Sequence, residues 1–164
     1  MASDAKSGAI PGVDLEQLVA DADLGGRKPL GIAAALLTVV AISWSLFQLW
    51  YASPLAFMLN FGIFNDTEAR AFHLSFAFIL AFLAYPALKS SPRDRVPASD
   101  WLLAAIAIAA VLYLVVFYQA LSARPGLPTP LDVIVAVIGV LALLEASRRA
   151  EGPWMPIIAI VALL

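Results

Sequence analysis

The sequence predicts an all-α membrane protein with four transmembrane helices, a partial fifth and a cytoplasmic N-terminus. Three observations predict it. Of the 164 residues 62% are hydrophobic and 13% charged, with a mean hydropathy of +0.90. A soluble domain carries roughly 25% charged residues, so too few polar side chains exist here to coat one. The apolar residues are gathered in unbroken blocks of bilayer length. The basic residues fall at alternate junctions between those blocks.

Residues 1–28 form a polar, acidic N-terminal tail. Within it Leu15, Leu18, Val19 and Ala22 recur at helical spacing, and Gly25-Gly26 stops the pattern. Asp14, Glu16, Asp21 and Asp23 make the other face acidic, which suits protein or solvent better than anionic lipid. A cleaved signal peptide is not expected, because the first apolar block comes too late and is too long. Residues 29–152 hold the four spans. A bilayer core needs about 20 apolar helical residues. Residues 30–51, 71–88, 101–121 and 131–146 provide them, with His73 near the start of the second and Asp132 and Glu145 at the two ends of the fourth. The blocks are continuous and rich in Ala and Leu rather than alternating, which favours helices over barrel strands. Residues 153–164 start a further apolar helix. At 1.5 Å per residue it reaches only about 16 Å. The run has no polar face, so it reads as the beginning of a transmembrane helix that is cut off.

Orientation follows from the basic residues. Lys6, Arg27, Lys28, Lys89, Arg93, Arg95, Arg148 and Arg149 fall on one side, and Arg70 and Arg124 on the other. The first side is therefore cytoplasmic. Trp50, Tyr51 and Tyr118 at the outer ends and Trp101 at the inner end fit aromatic belts.

Between the first two spans, Ser53-Pro54 predicts a helix start with Pro at the first helical position. Residues 55–64 then form an interfacial or re-entrant segment. Asn65 and Glu68 have capping-box spacing and are expected to open the second span, as Thr129 and Asp132 open the fourth. Pro86 is expected to kink the second span near its inner end.

Candidate chemistry is sparse. With no cysteine and one histidine, disulfides, thiolate sites and His-rich metal sites are excluded. A net charge of −2 gives no basic field for nucleic acid. The densest polar cluster is Asn65, Asp66, Glu68, Arg70 and His73, with Asp66 and Arg70 one turn apart. One reading makes it a docking patch at the outer surface. The other makes it a helix cap with a self-neutralising ion pair, a common arrangement at helix ends. Glu145 is spaced to pair with Arg148 or Arg149, whose long side chains can snorkel to the surface. Ser43, Ser45, Gln48 and Ser75 can bridge helices by hydrogen bonds. No charge lies in the middle of a span, where ion-coupled carriers place theirs. No phosphate loop, nucleophile elbow or metal signature supports an enzyme.

Several separate blocks carry a family resemblance. Trp44-Ser45-Leu46-Phe47-Gln48-Leu49-Trp50-Tyr51-Ala52-Ser53-Pro54-Leu55 resembles the first helix of fused TRAP transporter permeases of the 4TM/12TM type. Asn65-Asp66-Thr67-Glu68-Ala69-Arg70-Ala71 with His73-Leu74, and Ala84-Tyr85-Pro86-Ala87-Leu88-Lys89 with Ser91-Pro92-Arg93-Asp94-Arg95, are similar to the same family. So are Arg124-Pro125-Gly126-Leu127-Pro128-Thr129, Leu144-Glu145-Ala146 with Arg148-Arg149, and the tail Leu18-Val19-Ala20-Asp21-Ala22-Asp23 with Gly25-Gly26-Arg27.

The resemblance implies a tripartite, ATP-independent, sodium-coupled importer of organic acids or related solutes in a bacterial inner membrane. This chain is then its small membrane domain, a scaffold and part of the docking surface. Its partners are the large transporter domain, expected after residue 164, and a periplasmic substrate-binding protein. Substrate and sodium sites belong to that large domain, so no cofactor is expected in this chain and no transport from it alone. The alternative is a stand-alone membrane scaffold or assembly protein. A small membrane enzyme has only the cluster at residues 65–73 to draw on.

Overall fold

A computed structural model describes residues 26–27, 29–88 and 90–163. The amphipathic tail helix expected around Leu15, Leu18, Val19 and Ala22 lies outside them. The described chain is helical, and four of its helices are long and apolar enough to cross a membrane.

The spans are α1 (Ile32–Ala52), α3 (Asp66–Ala84), α4 (Ala98–Val116) and α6 (Pro130–Glu151). Two short helices cap the turns at one end, α2 (Leu55–Met58) and α5 (Tyr118–Ser122). α7 (Trp154–Leu163) closes the described chain and packs only on α6. Successive spans run antiparallel. The end holding Arg27, Arg148 and Arg149 is called the basic end here, and the other the distal end.

Several helix boundaries differ from the extents of the apolar blocks. The second span begins at Asp66, where the Asn65 and Glu68 cap spacing opens it, ahead of the apolar block at residues 71–88, and it stops at Ala84, short of the block's end. Hydropathy missed the polar first turn. It also ran past the stop, where Tyr85 is extended (φ −110°, ψ 129°) ahead of Pro86. The proline ring disfavours helical backbone in the residue before it. Pro86 therefore ends the helix instead of kinking it. The third span breaks at Phe117 (φ −100°, ψ 16°), whose N–H still bonds the Tyr113 carbonyl, and the chain continues into α5. At residues 53–58 the helix starts one residue later than expected, with Pro54 as its cap.

The core is built on α3. Phe78, Phe82 and Leu83 are its largest fully buried side chains. Phe78 and Phe82 meet small residues: Ala104 and Ala107 of α4, and Ala142 and Ala146 of α6. Small residues let helix backbones approach closely in lipid, where packing rather than water expulsion drives association. α4 and α6 touch the same way, with Gly139 close against Ala110. α1 differs: it leans on α3 alone among the long helices and buries no residue fully. Val39, Ile42, Leu46 and Leu49 stand exposed on it.

Glycine matters at two turns. Gly152 takes φ 89° and ends α6, so the chain can turn into α7. Gly62 takes φ 62° while its carbonyl accepts the Trp50 indole N–H at 3.3 Å. A Cβ there would sit 2.9 Å from that nitrogen.

Candidate functional site

Polar side chains collect at the two ends of the bundle. At the distal end the first turn of α3 is closed by a capping box. Asn65 Oδ1 accepts the Glu68 N–H at 2.9 Å, and the Glu68 carboxylate accepts the Asn65 N–H at 3.0 Å. Asp66 and Arg70 pair at 2.7 Å, both largely exposed. His73 lies one turn deeper, in the seam with α1. Its Nδ1 accepts the Trp44 indole N–H at 3.2 Å, and the Gln48 amide closes on the same nitrogen. Asp66, Arg70 and His73 thus line one recess of about 230 Å³ with Gln48 and Tyr51. Asn65 and Glu68 stay with the backbone. Gln48 bridges two helices, whereas Ser45 and Ser75 donate back to their own helix, to Ala41 and Ala71.

These two parts of the cluster are expected to separate on mutation. Asn65→Ala should cost about 1 kcal/mol of stability by loss of the cap. Arg70→Ala should cost under about 0.5 kcal/mol, because an exposed pair contributes little. Thermal unfolding in detergent checks both. An Arg70 effect as large as that of Asn65 would contradict the assignment.

The second distal knot joins α4 to α6. Thr129 and Asp132 form a capping box, with Thr129 N–H to Asp132 at 2.7 Å and Asp132 N–H to Thr129 Oγ1 at 3.3 Å. The same carboxylate accepts the Tyr113 hydroxyl at 2.5 Å and pairs with Arg124 at 3.0 Å. A residue chosen by its cap spacing therefore also ties two spans together.

The basic end carries a buried charge cluster that the sequence reading did not assemble. Asp100, in the first turn of α4, lies between two arginines. Arg27 donates to its Oδ2 at 2.5 Å, and Arg149 to its Oδ1 at 3.0 Å. The Arg27, Asp100 and Arg149 side chains are 0%, 4% and 4% exposed. Arg149 therefore turns into the bundle instead of snorkelling, over the Phe82 ring at 5.0 Å. Its Nε donates to Glu145 at 2.8 Å, and Arg148 grips the same carboxylate through two nitrogens at 2.7 and 2.8 Å.

Three guanidiniums face two carboxylates, so one positive charge is left over. Backbone carbonyls take it up. Arg27 donates to Phe82 and Leu83 at 3.1 and 3.3 Å, and to Pro92 at 3.3 Å; Arg148 donates to Ala87 at 2.9 Å. Phe82 and Leu83 lie in the last turn of α3, where helix carbonyls are unsatisfied and the dipole end is negative. Asp100 lies at the positive end of α4. Asp100 and the arginines thus sit at helix termini that favour their charge, while Glu145, toward the C-terminal end of α6, is held by its two arginines.

The sequence signal for this cluster was an acid, Asp100, on the side where arginine predominates. Its partners are 73 and 49 residues away, beyond any local spacing rule. Among the described residues, no buried side-chain nitrogen or oxygen lacks a hydrogen-bond partner, and no three acidic or histidine side chains converge as metal ligands. Compared with known proteins, the chain matches no family model, no curated protein and no solved structure.

Proposed function

We propose that this chain is a membrane scaffold and docking unit: the small membrane domain of a TRAP-type, sodium-coupled importer of organic acids or related solutes. The observation that carries the scaffold reading is where the polar groups are spent. Charged clusters join the spans at both ends, and the sequence puts no charge in the middle of a span. Such a body keeps its shape and presents apolar sides to its surroundings, as a support for a moving transport domain must. The sequence blocks quoted above supply the family. Under this reading the recess of Asp66, Arg70 and His73 faces the periplasm and contributes to docking of the substrate-binding protein. The large membrane domain lies against the exposed face of α1.

The test is co-expression with a TRAP-type large membrane domain and its binding protein. The expected result is stoichiometric co-purification in detergent. In proteoliposomes, sodium-driven uptake should fall to background when this chain is omitted. Purification without that partner, or uptake indifferent to the chain, would overturn the proposal.

A further inference from the structure

α1 and α6 both pack on α3 but do not touch each other. Between them, over α3, runs a groove of about 510 Å³. Along α3 it extends from Leu74 to Tyr85, about 16 Å at 1.5 Å per residue. That is about half of a 30 Å hydrocarbon core, the depth of one leaflet. At the end away from the arginines it is lined by Trp44 and Leu74, with the Trp44 indole N–H donated to His73. Its walls are apolar, and its polar lining residues, Tyr85, Ser147 and Glu151, lie at the basic end.

We propose that this groove is a binding site for one phospholipid of the leaflet at the basic end, and that it selects a zwitterionic headgroup bearing a primary ammonium, as in phosphatidylethanolamine. Depth argues for a lipid over a helix. A crossing helix needs the full core thickness, and the groove's lining ends at Trp44 and Leu74, about half that length from Tyr85. Charge argues for the headgroup. Glu151 is exposed, and among the described residues it has no ion-pair partner within 4 Å. It can accept from an ammonium, a donor that a purely anionic headgroup lacks. The Tyr85 and Ser147 hydroxyls, which line the groove, can donate to the phosphate. The inference needs only that the four long helices cross a membrane, and stands apart from the transporter reading.

The experiment is native mass spectrometry of the full chain released from detergent. It is first exchanged with phosphatidylethanolamine or phosphatidylglycerol of matched acyl chains. The wild type should keep one phosphatidylethanolamine at collision energies that strip phosphatidylglycerol, with a preference of about fivefold, the scale of one partly exposed ion pair. Glu151→Gln, on an exposed site, should bring the two lipids to parity. Ala150→Phe, which fills the groove, should lose the retained lipid with helical circular dichroism unchanged. Equal retention by the wild type, or an undiminished preference in Glu151→Gln, would overturn the proposal without reference to the groove-filling variant. A protein helix co-purifying in place of lipid would overturn it as well.

Discussion

Asp100→Asn should destabilise the bundle by about 3–5 kcal/mol, the usual cost of removing one member of a buried ion pair. The reason is what remains. Arg27 and Arg149 are almost fully buried and both point at this carboxylate. Asparagine offers one oxygen and no charge, so two guanidiniums are left facing each other in a desolvated site. Arg27 has further carbonyl partners on α3, so part of its hydrogen bonding survives. Arg149 keeps only Glu145, which it shares with Arg148. The measurement is the denaturation midpoint in mixed micelles, followed by helical circular dichroism. A triple variant, Arg27→Met with Asp100→Leu and Arg149→Met, removes the charges together. It should recover most of the loss, because well-packed apolar replacements of buried ionic groups are often neutral or better. If Asp100→Asn cost under about 1 kcal/mol, the cluster would be a solvated surface pair and the account of the basic end would fail.

The same residue marks how far the sequence could be read. Continuous apolar blocks gave four spans because the bilayer fixes their length. Asn65 with Glu68 and Thr129 with Asp132 were legible as caps because capping is local, acting over three residues. Glu145 with Arg148 and Arg149 was legible for the same reason: a helix turn sets the spacing. Asp100 with Arg27 was not, since the pair exists only once α3 and α4 have packed and brought the chain before α1 to the start of α4. Hydropathy also misplaced helix ends. It averages over residues, whereas Tyr85 before Pro86 acts at one residue. The tie between His73, Trp44 and Gln48 is likewise tertiary. Nothing in the spacing of residues 44 and 73 brings them together.

Phe82→Ala should be the second large loss, and it should not add to the first. The ring is fully buried at the basic end of the core, stacked on Phe78 at 5.8 Å and capped by the Arg149 guanidinium. Phe→Ala in soluble cores costs about 3–5 kcal/mol, part transfer and part cavity. In lipid most of the transfer part disappears, because the unfolded reference is itself apolar. About 2 kcal/mol of lost packing and cation–π contact should remain. Removing the ring also frees Arg149 to leave Asp100, and opens space through which water can reach the cluster. Asp100→Asn should therefore do less harm in the Phe82→Ala background. A double-mutant cycle should show a coupling of about 1 kcal/mol or more, within the range for contacting networks. Phe82→Leu, which keeps bulk but not the π face, separates the two contributions: it should restore packing and leave the coupling reduced. Strict additivity would mean that the apolar core and the charge cluster stabilise this bundle independently. The floor that Phe82 makes for Arg149 would then have no energetic consequence.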